Sequence, residues 1–186
     1  TMPWAPISDE VVSGYKRMNY HSYAVWSNNE LTPENFYGFN DRFNRFYEGI
    51  RRANTFLMRI DECKEVGPVQ LSEWKGEATF IKALCYFEFM LAYGPIPIVP
   101  DYPVDFDTPI KELMLERNTW DECSEYVEGL LRTSIDLLPE FVMDKSDVGK
   151  ATKNAARAVL SRLTLYTASP LFNGQNGEFA SFRNKA

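Results

Sequence analysis

The stretch SYAVWSNNE at residues 22–30 sets a Trp beside a run of short amides. The ring of Trp26 offers a flat apolar face, Tyr23 offers a second, and Asn28 brings planar amide donors and acceptors. Sugars are held by this combination, with C–H faces stacked on a ring and hydroxyls met by amides. The same residues also suit a loop in which Trp26 plugs the base of the helices and the asparagines make turns. Catalysis has less to draw on. His21 is the sole histidine, and no nucleophile with an orienting carboxylate is marked out beside it. The 26 Asp and Glu residues single out no pair suited to glycosidic cleavage. Asp101, Asp105, Asp107 and Glu112 have a calcium-loop spacing, but Pro103 and Phe106 stand where an oxygen ligand and a glycine are needed. A solvated acidic loop is the expectation there. Cys63, Cys85 and Cys123 show no CxxC spacing and read as isolated small hydrophobes. The expectation is a protein without catalytic residues, metal or cofactor.

Four helical patterns must position these residues. In the first, over about 41–62, Phe43, Phe46, Tyr47, Ile50, Ala53, Leu57 and Ile60 recur at three- and four-residue spacing. Asn54 lies in line with them, so it faces the core and must find hydrogen-bond partners there. The second is predicted over 72–93, with Ser72 as N-cap. Its few charges fall on two lines, Lys75 with Lys82 and Glu77 with Glu88. The surface between them is apolar almost all round, which predicts packing on several sides and deep burial of Phe80, Leu84, Phe87 and Leu91. Gly94 offers an αL cap, and Pro95 and Pro97 force an extended exit.

The third pattern, 119–138, opens with the capping-box spacing of Thr119 and Glu122 and buries Trp120, Cys123, Val127, Leu130, Ser134 and Leu137. The fourth, 152–168, turns Ala155, Val159, Leu163 and Tyr166 inward and closes at Ser169-Pro170. No strand-like alternation appears, so the class is all-α. The helices form two antiparallel pairs about 75 to 80 residues apart, the topology of tetratricopeptide-like helical hairpins.

Composition narrows the function classes. The chain has 186 residues, long enough for one domain, and a net charge of −6 that disfavours phosphate-backbone binding, so no nucleic-acid partner is expected. No run of about 18 apolar residues exists to span a bilayer. The opening TMPWAPISDE shows neither a basic leader region nor a lipobox cysteine.

Three motifs in order, FYEGIRRANTFL (46–57), EATFIKALCYFEFMLAYGPIPIV (77–99) and KATKNAARAVLSRLTLYTASPLFNG (150–174), resemble the SusD/RagB family over roughly residues 8 to 175. Family members commonly carry Trp where Phe43 stands. The resemblance implies a tetratricopeptide-like α-superhelix (SusD-like), with residues 1–186 forming an N-terminal part of the domain and the rest absent from this chain. A piece of that kind is expected to show an apolar patch where the remainder packs. The resemblance further implies a non-catalytic, glycan-binding surface lipoprotein of the cell outer membrane. Such a protein is held to the membrane only through a lipid anchor and delivers polysaccharide or oligosaccharide to a SusC-like TonB-dependent transporter. On this basis Trp26, Tyr23 and Asn28 are the candidate ligand-binding residues. Without the resemblance, the same helices suit a helical-repeat protein–protein scaffold that binds no sugar.

Overall fold

The computed structural model describes residues 42–102, 107–142 and 144–173. The chain divides into two compact units, 1–45 and 46–186, and the core lies within the second. Helix α1 (Arg42–Arg59) runs into a 3-10 turn at Ile60–Glu62, and α2 (Pro68–Tyr93) follows. An extended segment and a short α3 (Ile110–Leu113) lead to α4 (Trp120–Leu137). After a 3-10 turn at Lys145–Asp147 come α5 (Lys153–Thr167) and the short α6 (Pro170–Asn173). There is no strand among the described residues, so the protein is all-α.

Contacts between helices give their direction. Phe46 stacks on Phe89 at 5.4 Å between ring centres, while Lys75 pairs with Asp61, so α1 and α2 are antiparallel. Gly76 lies against Leu137 and Leu138, while Tyr86 meets Tyr126 edge-on at 5.2 Å, so α2 and α4 are antiparallel too. Arg157 pairs with Glu140 near one end of α4 and α5, and the Ser124 and Thr167 hydroxyls meet at 3.3 Å near the other. The result is an up-and-down array of four long helices.

Local chemistry explains the boundaries. Thr119 and Glu122 form the capping box at the start of α4, the Thr119 hydroxyl accepting from Glu122 N–H and the Glu122 carboxylate from Thr119 N–H at 2.8 Å. Thr152 caps α5 by accepting from the Ala155 amide at 3.3 Å. Helix α2 starts four residues earlier than the Ser72 cap predicts. Pro68 at the first helical turn has its φ preset and has no N–H to satisfy, and the Leu71 amide bonds to the Gly67 carbonyl at 3.0 Å. Ser72 therefore sits inside the helix. At the other end Gly94 takes φ 70° but ψ −142°, outside the αL region, a conformation that favours glycine.

The core centres on Ile50, Ala83, Tyr86, Phe87, Phe89, Met90, Trp120, Val127, Leu131 and Leu163. Trp120 is fully buried and stacks almost parallel on Phe172, 3.5 Å between ring centres. Helix α2 buries one broad arc rather than its whole circumference. Phe87 is fully buried, but Phe80, Leu84 and Leu91 are only half-buried, and Ile81 is 52% exposed. The larger correction is Lys82, which the charge pattern placed on an outward line. It is 2% exposed and lies on the buried arc with Thr79 and Tyr86. An ammonium can occupy that position only if a partner meets it, which leads to the segment beyond the helix.

Candidate ligand-binding site

The extended segment after α2, residues 94–101, is held chiefly by its main chain. Arg117 Nη1 donates to the carbonyls of Tyr93 and Pro95, at 3.2 and 3.3 Å. The Ile96 carbonyl accepts from the Cys123 thiol at 3.3 Å and from the Asn118 amide at 3.2 Å. Tyr47 Oη donates to the Pro97 carbonyl at 3.1 Å, and the Ile98 N–H donates to Asn118 Oδ1 at 2.9 Å. Val99 N–H donates to Tyr86 Oη at 3.2 Å, and Asn54 Nδ2 donates to the Pro100 carbonyl at 3.1 Å. Prolines at 95, 97 and 100 cannot donate, so no ladder or helix can form, and side chains from α1, α2 and α4 supply the partners instead. Asn54 thus finds its bond as the α1 pattern requires. Its Oδ1 has no partner among the described residues.

At the end of this segment Asp101 accepts on one oxygen, Oδ1, from both Lys82 Nζ at 2.7 Å and Tyr126 Oη at 2.8 Å. The Lys82 ammonium also lies 5.5 Å from the centre of the Tyr126 ring. Burial pushes the Asp101 carboxyl up, but the bonds from Lys82 and Tyr126 and the ammonium charge outweigh it and hold it below the usual range. The Tyr126 and Tyr86 phenols are raised, chiefly by burial, and Tyr47 is pushed up to about 12 for the same reason, so all three are neutral hydroxyls: Tyr126 and Tyr47 donate, while Tyr86 accepts from the Val99 N–H. Asp101 is therefore an anchor of the segment while its side chain stays solvent-exposed, as expected of it. Asp105 and Phe106 lie outside the described residues, and among the described residues no cluster of His, Cys, Asp and Glu could hold a metal ion.

A second feature is an open groove of about 770 Å³ along α1 and the 3-10 turn that follows it. Arg51, Arg52, Phe56 and Arg59 line it together with Glu48 and Glu62. Arg52 pairs with Glu48 and Arg59 with Glu62 across exposed surface, so most of the charge there is internally neutralised. Trp26, Tyr23, Asn28 and His21 fall outside the described residues. The residues singled out for sugar contact thus lie beyond what the structure describes. Lys82 was placed by the sequence reading on an outward line with Lys75; the signal for its burial was its alignment with Thr79 and Tyr86, with an aspartate just past the prolines.

Residues 7–165 match the SusD-like family described as starch-binding and associating with the outer membrane. A SusD-like protein of Bacteroides ovatus is 24% identical over 153 residues, covering 81% of this chain and 26% of that protein. The fold is shared with a SusD-like protein of Bacteroides fragilis, at TM-score 0.62 and 28% identity over 68% of this chain and 24% of the other. A laminarin-binding SusD-like protein gives TM-score 0.66 at 20% identity, with 78% and 30% covered. Surface glycan-binding protein A of Bacteroides uniformis gives 0.65 at 20% identity, with 78% and 31% covered. The chain spans about a quarter of the length of the curated relative. With a match over that range, and with the helices and pinned exit that its three motifs build, the chain belongs to the SusD/RagB family.

Proposed function

We propose that the protein is a non-catalytic glycan-binding component of an outer-membrane uptake complex, handing polysaccharide or oligosaccharide to a SusC-like TonB-dependent transporter. The family match over residues 7–165 carries this reading. Two structural neighbours named for binding laminarin and surface glycan support it. Attachment at the cell surface would be through a lipid anchor, a reading that rests on the family match; no described helix is long and apolar enough to cross a membrane. Sugar contact at Trp26, with Tyr23 and Asn28 beside it, is part of the proposal.

The test is affinity electrophoresis of the chain through gels containing amylopectin, laminarin or other neutral polysaccharides, with reducing-end release followed in parallel. Retardation by at least one polysaccharide without release of sugar is expected. Trp26→Ala should weaken that binding by about 1–3 kcal/mol if a stacking face is lost, by analogy with bases stacked on aromatic rings. Retardation by none of them would favour the protein–protein scaffold, and steady release of sugar would refute a non-catalytic role.

A further inference from the structure

Tyr102 follows directly on the pinned Asp101 and is 65% exposed, a large aromatic side chain turned mostly to solvent. Exposed aromatics on loops are usually free to swing. This one is attached to backbone held by Asn54 at the Pro100 carbonyl and by Lys82 and Tyr126 at the Asp101 side chain. The Asp101 carboxylate faces two ways. Oδ1 takes both protein donors, while Oδ2 has no hydrogen bond among the described residues, and the side chain is 69% exposed. Lys82 and Tyr126 thus fix the orientation of a carboxylate whose second oxygen is open to solvent.

We propose that Tyr102 and Asp101 form a saccharide-binding platform for a neutral hexose chain, an inference that rests on the glycan-binding reading above. The Tyr102 ring would stack on the C–H face of one sugar, and Asp101 Oδ2 would accept from a hydroxyl of the same or the adjoining residue. The Asp101 carboxylate is held before the ligand arrives, and Tyr102 follows directly on it, so binding has less of the backbone beneath them to order. The ligand is neutral on two counts. The acceptor is an ionised carboxylate, which repels uronates and sulfates, and the chain as a whole carries −6.

The experiment titrates the 186-residue chain with maltodextrin and with laminarin oligosaccharides, by calorimetry and by backbone-amide NMR. Whichever sugar binds should shift the Asp101 and Tyr102 amide signals. Tyr102→Ala should weaken binding at least about fivefold, the low end of what a lost stacking face costs. Tyr102→Phe should stay within about twofold, since the ring is kept. Asp101→Asn should weaken it about tenfold through loss of a charged acceptor. Because Tyr102 is exposed, Tyr102→Ala should leave the urea midpoint unchanged, which separates binding from folding. If the chain binds a polysaccharide but Tyr102→Ala binds equally well and no amide near residue 101 shifts, the platform is refuted and the glycan-binding reading stands. If no neutral glycan binds at all, both are refuted.

Discussion

Cutting Asp101 should destabilise the protein more than cutting its partner Lys82, although the two share one ion pair. The asymmetry follows from their exposure, 69% for the Asp101 side chain and 2% for that of Lys82. Asp101→Ala strands a buried ammonium. A fully buried pair broken in this way costs about 3–5 kcal/mol, and a fully exposed one about 0.2–1. Water can approach through the open Asp101 side, and Tyr126 loses its acceptor as well, so about 1.5–3 kcal/mol is expected. Lys82→Met keeps the stem volume and removes the charge that needed pairing, while Asp101 simply hydrates. Its cost should stay within about 1 kcal/mol. The double variant should resemble Lys82→Met alone. Urea unfolding followed by far-UV circular dichroism measures all three. Lys82→Met costing as much as Asp101→Ala would refute the reasoning, because it would mean that the ammonium itself stabilises the fold. Acid adds a second reading of the same pair. The folded Asp101 carboxyl lies below its unfolded value of about 3.9, so the unfolded chain binds more protons in that interval. The stabilisation is complete above that value and is lost as pH falls through the folded pKa. Asp101→Asn should flatten the stability loss below about pH 5.

Other expectations follow from the packing. Phe87→Ala, at a fully buried site, should cost about 3–5 kcal/mol in urea, and Leu84→Ala, at a half-buried one, clearly less. Gly76→Ala would drive a methyl to 3.0 Å from Leu137 Cβ and 3.1 Å from the Leu138 backbone nitrogen, which should destabilise by about 1–3 kcal/mol. Gly129→Ala, mid-helix with open space around it, should instead raise stability by about 0.5–1 kcal/mol, and a fall would refute the local picture. Thr119→Ala should cost about 1 kcal/mol by removing half of the capping box. Thiol titration should label the half-buried Cys63 before the buried Cys123, whose thiol is raised chiefly by burial and donates to the Ile96 carbonyl.

Local signals in the sequence carried well where one residue type has one main use. Thr119 with Glu122 marked a helix start, Pro95 and Pro97 marked an extended exit, and an asparagine in an apolar stripe marked a buried amide needing a partner. Lys82 was misplaced because charge was read as a sign of exposure, and only long-range folding brings Asp101, 19 residues later, to meet it. Ser72 was misplaced for a different reason: Ser72 and Pro68 are both good starts, and the earlier one extends a helix that tertiary packing already favours. The α2 arc narrowed because a helix with few charges can still leave one side to water, as Ile81 does. The site was less legible. Trp26 drew attention through its neighbours in sequence, whereas the exposure of Tyr102 and the open oxygen of Asp101 depend on contacts from residues 54, 82 and 126, which no spacing rule encodes.

The pinned segment has a consequence for how such a protein can change. Apart from Asp101, its ties run to main-chain carbonyls and to the Ile98 and Val99 N–H groups, so substitutions at Ile98 or Val99 by any residue but proline alter no bond that holds the path. The holding side chains, Tyr47, Asn54, Tyr86 and Asn118, sit on or beside helices instead. Mutational tolerance and positional accuracy are thereby assigned to different residues. A lineage could exchange the exposed Tyr102, trying new side chains there, while the backbone point just before it stays in place.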